Sequence, residues 1–341
     1  MPGRGRITVL NALLGRGQNG DRSVEATAKP EPRGRRPSIG LALGGGAARG
    51  FAHIGVIRTL VANGIVPDVI TGTSIGAVVG GFHAAGQLEA LEKWSSALTR
   101  RSVLGYLDVS FSGSSLIQGN RLFRHLQEAV GPVRIEDFST RFAAIACEID
   151  TGHEVWLTRG RLIEALRASY ALPGIFAPVR VGKRLLVDGA LVNPVPVSAA
   201  RSLDARIVIA VNLNADLLGR GSTIAAHGTD DDDTPAPASQ EPEEAQGWRG
   251  ILSVERFMKR KFFTRDGMPG IPAVMIDAYN VMQDRITRAR LAGDPADIMI
   301  APRLGTIAMF DFHRAAEAIE LGAEAAERSM ESIGHAMEAL S

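Results

Sequence analysis

The chain has 341 residues, a formal net charge of +1, 45 % hydrophobic residues and 22 % charged residues. This is a normal globular mix, long enough for one large α/β domain or two smaller ones, and its balanced charge gives no overall attraction to nucleic acid. A single cysteine, Cys147, excludes an internal disulfide framework and fits a reducing compartment. Because no run of about 18 apolar residues is present, we expect a cytoplasmic protein whose contact with membranes is peripheral.

Residues 1–37 have the composition of a disordered basic tail. Eight arginines and lysines face only Asp21, Glu25 and Glu31, and proline and glycine interrupt the segment. Two interpretations stay open: a solvated arm, and a segment attracted electrostatically to anionic lipid.

From residue 38 the hydrophobic pattern alternates between strands and helices. Strands are predicted at 38–45, 66–72, 141–150, 183–190, 205–213 and 298–305. Helices are predicted at 47–64, 75–86, 88–101, 119–131, 161–170 and 310–340, the last with a break at Gly322. The alternation predicts a three-layer α/β fold, with a mostly parallel central sheet and helices on both faces. We expect this domain at 38–328, with 329–341 as the end of the C-terminal helix.

Two segments between the predicted strands differ from the rest in composition. Residues 214–248 are acidic, rich in proline and alanine and almost without large apolar residues, which predicts a disordered insertion. Residues 248–263 (WRGILSVERFMKRKFF) are basic and amphipathic. They suit either a helix lying in a bilayer interface or a core-packed helix with a basic outer face.

A glycine-rich loop, GGGAARG at 44–50, follows the first predicted strand. Such a loop at a helix N-terminus exposes backbone N–H groups that can hold a phosphate, a dinucleotide or a developing oxyanion. A P-loop would need Lys-Ser/Thr after the last glycine, where this chain has Phe51 and Ala52. A dinucleotide fingerprint would need glycine at the position of Arg49 and an acidic residue ending the second strand. The oxyanion interpretation therefore remains.

The sequence GTSIG, Gly72 to Gly76, has the G-x-S-x-G form of a nucleophile elbow between a predicted strand and a predicted helix. The tight turn requires small residues two before and two after the serine. It exposes the Ser74 hydroxyl and directs the Ile75 N–H toward the same point. We predict that Ser74 is a nucleophile and that the glycine loop faces it.

The elbow motif does not determine which residue would act as the base that activates Ser74. A triad in the order Ser-Asp-His would need a late histidine, and His313 is the candidate, although its place on an amphipathic helix suits a surface residue. Asp188 ends an apolar strand at the same edge of the sheet as the elbow, and Gly189 permits a tight turn beside it. Burial would raise the pKa of an aspartate from about 3.9 and make it a better base.

The motifs GGGAARG, GTSIG and DGA, in that order, resemble the patatin-like phospholipase family, especially its bacterial soluble members. The resemblance extends to ASYALPGIFAPV (168–179) and to DFHRAAEAIELGAEAA near the C-terminus, so it spans about residues 38–328 without the acidic insertion. It implies a Ser74–Asp188 dyad, with oxyanion amides from Gly44, Gly45, Gly46 and Ala47. It also implies hydrolysis of phospholipid or lysophospholipid esters without a metal or other cofactor. Arg49 stands where the family's loop often has glycine, so the loop carries one extra residue.

These observations predict a serine acyl hydrolase that acts through an acyl-enzyme. Its substrate would be a phospholipid or lysophospholipid, and residues 248–263 and the basic tail would contact the membrane; no nucleic-acid partner is expected. The alternatives are a Ser-His-Asp triad esterase using His313, and a lipid-binding regulatory protein that keeps the fold without turnover.

Overall fold

A computed structural model of the chain describes residues 36–106, 119–216 and 270–340. Its centre is an eight-stranded sheet with the pairing order β5-β6-β3-β2-β1-β7-β8, and β4 also pairs with β3. The strands are β1 (Ile39–Leu43), β2 (Val69–Thr73), β3 (Arg141–Glu148), β4 (Glu154–Leu157), β5 (Val179–Val181), β6 (Arg184–Asp188), β7 (Ile207–Val211) and β8 (Ile298–Ile300).

The sheet is parallel at its centre and on the β8 side. β2, β1, β7 and β8 pair in parallel with one another and β2 pairs in parallel with β3, whereas β4, β5 and β6 form antiparallel pairs. Every residue of β1, β2 and β7 is buried, as expected for central strands covered on both faces. The prediction of a mostly parallel sheet surrounded by helices is confirmed.

The register of β3 brings the ends of two strands together. Thr73, the last residue of β2, pairs with Ile145, and Asp188, the last residue of β6, pairs with Ala146. β4 pairs with residues 144–147 of β3, a range that overlaps the residues paired with β2 and those paired with β6. Because a strand has only two edges, β4 must lie on one edge of β3 and both β2 and β6 on the other. β2 and β6 therefore lie end to end along one side of β3, and their carboxyl ends meet.

Ten α-helices of the described residues pack around the sheet. They are α1 (Ala52–Ala62), α2 (Ile75–Ala84), α3 (Leu88–Ser96), α4 (Arg100–Tyr106), α5 (Asn120–Val130), α6 (Leu162–Ser169), α7 (Val197–Ser202), α8 (Ile271–Gly293), α9 (Ala315–Glu327) and α10 (Met330–Ala339). The apolar residues of α1, α2, α6 and α9 join the main core with one set of strand side chains, including Leu41 and Leu43. The alternate set, including Ala42 and Val208, packs with α7 and with Leu291 of α8. The strands thus present alternate residues to helices on two faces.

The predicted helix break at Gly322 is wrong. α9 runs through Gly322, and the break between α9 and α10 falls at residues 328–329. Gly322 instead permits close packing on α1, because a Cβ atom there would lie 2.0 Å from the Ala52 carbonyl oxygen. On the facing helix, a Cβ on Gly55 would lie 1.9 Å from the Ile319 carbonyl oxygen. Two glycines therefore let the backbones of α1 and α9 touch.

The stretch predicted as one helix at 88–101 forms two helices, α3 and the start of α4. Thr99 and Ser102 form a reciprocal cap at the start of α4, in which the backbone N–H of each residue donates to the side-chain oxygen of the other, at 2.8 and 3.1 Å.

The sequence patterns did not predict α8, β4 or β5. Within the described residues, no helix is long and apolar enough to cross a membrane. The tail up to residue 35, the insertion from residue 217 and the basic segment 248–263 lie outside them.

Candidate active site

Ser74 occupies the tight turn between β2 and α2 with a strained backbone, φ 56° and ψ −123°. Residues other than glycine rarely adopt a positive φ, and such strain concentrates at functional sites. The flanking glycines are required by space. A Cβ on Gly72 would lie 2.5 Å from the backbone of Ala77, and one on Gly76 would lie 2.2 Å from the Leu43 carbonyl oxygen. The local structure therefore has the geometry of a nucleophile elbow.

The elbow is held by side chains from distant parts of the chain. The Ser74 N–H donates to the Ser169 hydroxyl at 2.9 Å, and that hydroxyl donates to the Ile145 carbonyl at 2.6 Å. The Thr73 hydroxyl donates to the Asn193 carbonyl at 2.7 Å. Ser169 and Thr73 are fully buried, so these hydrogen bonds are shielded from water and fix the strained turn.

Asp188 lies at the meeting point of β6 and β2, buried to 1 % exposure. Its N–H donates to the Ala171 carbonyl at 2.9 Å, and its Oδ1 accepts from the Ala190 N–H at 2.9 Å. Burial raises the Asp188 pKa to about 7, and the hydrogen bonds from Ala190 and the Ser74 hydroxyl partly oppose that rise. Gly189 has no room for a Cβ, which would lie 2.4 Å from the Ile145 carbonyl oxygen. The structure thus places the carboxyl of Asp188 and Ser74 on the wall of the same cavity.

The N–H groups of the glycine loop divide into two sets. Gly44 donates to the Val211 carbonyl and Gly45 to the Pro194 carbonyl, both at 3.0 Å. The N–H groups of Gly46 and Ala47 have no acceptor within the described residues. Gly46 and Ala47 also line the same cavity as Ser74. An oxyanion facing Ser74 would therefore meet the amides of Gly46 and Ala47 rather than those of Gly44 and Gly45.

Two buried basic side chains donate hydrogen bonds to carbonyl groups of the glycine loop. His53 Nε2 donates to the Gly44 carbonyl at 2.7 Å, and burial lowers the His53 pKa to about 4, so the ring is neutral at pH 7. Arg49 is 2 % exposed, and its Nε donates to the Gly46 carbonyl at 3.3 Å. Burial lowers the Arg49 pKa to about 10, against the opposing charge of Asp216. Both side chains donate to carbonyl oxygens of the loop, so neither of them occupies the N–H groups of Gly46 and Ala47.

A cavity with an internal volume of about 130 Å³ leads away from Ser74 and Asp188. Its walls are almost entirely apolar and come from α2, α3, α4, α5, α8 and the segments 170–176 and 309–312. An aromatic row runs along it, because the Phe51 and Trp94 rings lie 6.3 Å apart and the Trp94 and Tyr106 rings 5.7 Å apart. A cavity with this lining suits an apolar ligand group.

His313 does not line the cavity that holds Ser74 and Asp188. It lies in a short 3-10 turn before α9, and its Nε2 accepts from Arg100 Nε at 3.3 Å. Partial burial lowers the His313 pKa. No observation in the described residues gives this histidine a role beside the serine.

Comparison with known proteins places the chain in a family. The model of the patatin-like phospholipase family matches residues 41–201, which contain the glycine loop, Ser74 and Asp188. An NTE family protein of Mycobacterium tuberculosis (strain H37Rv), itself uncharacterised, is 33 % identical over 331 aligned residues, covering 87 % of this chain and 92 % of that protein. The chain belongs to the patatin-like phospholipase family. Family membership supports lipid hydrolase activity.

Relatives of this chain include larger proteins. A protein of Yarrowia lipolytica named lysophospholipase NTE1 is 34 % identical over 52 % of this chain and 13 % of its own length. Among solved structures, VipD from Legionella pneumophila aligns with a TM-score of 0.42 and 11 % identity over 87 % of this chain and 67 % of its own. The second likeness is too distant to support any functional inference.

The sequence patterns predicted Ser74 and Asp188, which the fold brings to one cavity, but not the residues that support them. Ser169 and Asn193 brace the elbow, and neither was predicted. Ser169 does fall inside the stretch ASYALPGIFAPV, which the family resemblance included, so that stretch was the available signal. Tyr279 and Gln283 of α8, which also line the cavity, had no signal in the sequence patterns.

Proposed function

We propose that this protein is a serine acyl hydrolase working through a Ser74–Asp188 dyad. Asp188 accepts the Ser74 hydroxyl proton as the oxygen attacks the ester carbonyl, and the tetrahedral intermediate expels the alcohol, which takes that proton. Water, deprotonated by Asp188, then attacks the acyl-enzyme and releases the fatty acid, and the proton returns to Ser74. The observation that carries the proposal is the burial of Asp188 within reach of a strained, cavity-lining Ser74.

The pKa of Asp188 supports its role as base. An aspartate in water, with a pKa of about 3.9, is too weak a base to deprotonate serine efficiently at neutral pH. Burial raises the Asp188 pKa to about 7, close to the pH at which a general base works best. A dyad can thus work without histidine because the carboxyl is removed from water.

The oxyanion would be held by the N–H groups of Gly46, Ala47 and Ile75. Gly46 and Ala47 have no acceptor within the described residues, and the Ile75 N–H is at the first residue of α2, where the helix supplies no acceptor. All three residues line the cavity beside Ser74. Losing one such donor costs about 10² to 10³ in rate, so this set would supply a large part of catalysis.

The substrate we propose is a phospholipid or lysophospholipid. The apolar cavity gives an acyl chain room next to the attacking oxygen, and lysophospholipase activity is what the name of the Yarrowia relative states for that protein. Burying an acyl chain contributes about 0.8 kcal/mol per methylene relative to water, which would offset the cost of taking the chain out of a lipid aggregate. Peripheral membrane contact through residues 248–263 and the basic tail remains part of this proposal.

Labelling with a fluorophosphonate probe tests the nucleophile. We expect wild-type protein to be labelled at Ser74 and to hydrolyse a p-nitrophenyl acyl ester, while Ser74→Ala loses both. Asp188→Asn should reduce hydrolysis at least about 10²-fold, since general-base catalysis contributes about 10² to 10⁴. Ser329→Ala is the matched control, because the Ser329 hydroxyl bonds within its own helical segment. Full esterase activity in folded Ser74→Ala would refute the proposal.

A further inference from the structure

Most of the cavity wall is apolar, but one part beside the catalytic pair is not. Tyr279 and Gln283, one turn apart on α8, line the cavity together with Ser74 and Asp188. Tyr279 packs against Ala190 of the turn that follows Asp188. The aromatic row from Phe51 to Tyr106 belongs to another part of the wall, built from α3, α4 and α5. The cavity therefore has a polar wall next to the reacting groups and an apolar arm.

The polar wall is a buried hydrogen-bonded network. Gln283 Oε1 accepts from Asn214 Nδ2 at 3.0 Å, and the same Nδ2 lies 3.4 Å from the Gly45 carbonyl oxygen. Tyr279, Gln283 and Asn214 are 9 %, 4 % and 7 % exposed. Tyr279 and Gln283 lie four residues apart on α8, so their side chains fall on one face of the helix. The network connects α8 to the glycine loop.

This network has unused hydrogen-bonding capacity. Asn214 Oδ1 is buried and has no partner within the described residues. Leaving a buried polar atom unpaired costs free energy, and Tyr279 and Gln283 are polar side chains in the wall of an otherwise apolar cavity. A ligand hydroxyl at Tyr279 and Gln283 would enter the network as both donor and acceptor.

The two halves of an ester fit the two parts of the cavity. When the carbonyl carbon lies at Ser74, the acyl chain enters the apolar arm, and the alcohol half is left beside α8. We propose that Tyr279 and Gln283, the latter positioned by Asn214, bind a free hydroxyl on that alcohol half and so make the site prefer an ester whose alcohol carries one. This inference rests on the proposed function and specifies which substrate the site selects.

Binding of ether analogues tests the hydroxyl contact without any hydrolysis. The probes are a 1-alkyl-2-hydroxy-glycerophosphocholine and its 2-deoxy analogue, which lacks the hydroxyl and adds no bulk; neither has an ester to cleave. With the full-length protein, below the critical micelle concentration, we expect the hydroxy ether to bind about tenfold more tightly, as for one good buried hydrogen bond. Equal affinities would overturn the inference.

Two variants assign the contact to named side chains. Gln283→Leu and Tyr279→Phe should each reduce the preference for the hydroxy ether, so that the affinities for the two ethers differ by no more than about twofold. Tyr279→Phe keeps the ring and its packing, so it remains informative if Gln283→Leu fails to fold. Thr287→Val is the matched control, since Thr287 is buried one turn further along α8 but does not line the cavity. Thr287→Val should retain the wild-type preference for the hydroxy ether. If Gln283→Leu and Tyr279→Phe both retain it as well, the assignment to these side chains is refuted.

Kinetics with the corresponding esters separates this inference from the proposed function. Wild type should hydrolyse the 2-hydroxy ester with a kcat/KM about tenfold above that of the 2-deoxy ester, and both variants should reduce this ratio. If wild type hydrolyses neither ester but binds the hydroxy ether preferentially, the proposed function fails while the hydroxyl site stands. If it hydrolyses both equally and binds both ethers equally, the hydroxyl site fails while the hydrolase stands.

Discussion

At the scale of single residues, burial gives Asp188 and His53 opposite changes in basicity. It raises the pKa of the Asp188 carboxyl to about 7 and lowers the pKa of the His53 ring to about 4. In each case the charged form is the one disfavoured. The carboxyl consequently has the basicity usually found in a histidine, whereas His53 is a neutral donor to the glycine loop.

The pH dependence of activity should follow from the raised pKa. A general base must be ionised, so kcat/KM should be constant above about pH 7 and fall about tenfold per pH unit below it. An aspartate with an ordinary pKa would instead place this acidic limb near pH 4. The measurement is kcat/KM for a soluble short-chain ester from pH 5 to 9, with circular dichroism to verify that the fold persists. A flat profile down to pH 5 would contradict the assignment of Asp188.

The two residues of the proposed dyad could be predicted from sequence because they belong to local patterns. Ser74 follows from two glycines at fixed spacing, and Asp188 from a strand ending in Asp-Gly. Ser169 has no such pattern, because its hydroxyl reaches the elbow from a residue 95 positions away. Likewise, only the fold shows that the Gly44 and Gly45 amides are taken by Val211 and Pro194. Local patterns predict which groups react, whereas tertiary contacts determine what holds them.

At the scale of elements, the predicted helix break at Gly322 was wrong because local sequence patterns do not show tertiary contacts. Glycine in a helix interior is unfavourable by about 1 kcal/mol relative to alanine, which made Gly322 look like the end of a helix. Close packing of α9 on α1 overrides that preference, since only glycine allows the two backbones to touch. The missed helix α8 has no clear amphipathic pattern, because it exposes apolar residues, Val274, Met275, Val281 and Met282, while burying Gln283 and Thr287.

Two glycine substitutions in the C-terminal helices should have opposite effects. Gly322→Ala should destabilise the protein by at least about 1–3 kcal/mol, because its Cβ would lie 2.0 Å from the Ala52 carbonyl oxygen and force α9 away from α1. Gly334→Ala, in α10, meets no atom within 4 Å and should stabilise by about 0.5–1 kcal/mol. Urea unfolding of both variants measures the difference. A Gly322→Ala protein as stable as wild type would show that α1 and α9 are not so closely packed.

At the scale of the whole molecule, the cavity is assembled from elements that are far apart in the chain. The apolar arm draws on α3, α4 and α5, and the catalytic end on the β2 elbow, the β6 end and α8. No stretch of sequence contains this arrangement, so the sequence predicted an ester hydrolase without predicting the shape of its site. Only the three-dimensional fold shows an apolar cavity next to Ser74.

Acyl chain length should therefore control activity until the apolar arm is filled. Each added methylene should raise kcat/KM about fourfold, the equivalent of about 0.8 kcal/mol per buried methylene, before a plateau. A series of p-nitrophenyl esters from acetate to palmitate measures this dependence. Leu122→Trp, which narrows the arm, should move the plateau to shorter chains, whereas Arg124→Trp on the exposed side of the same helix should not. Equal rates along the whole series would contradict an acyl-binding arm.

The end-to-end placement of β2 and β6 on β3 separates the part of the molecule that fixes the proposed dyad from the part that would select its substrate. Ser74 follows the last residue of β2 and Asp188 ends β6, and these two strand ends pair with the neighbouring residues Ile145 and Ala146 of β3. Tyr279 and Gln283 lie instead on α8, outside the sheet. Under the two proposals, substitutions on this one helix would change substrate preference and leave the spacing of the dyad unchanged.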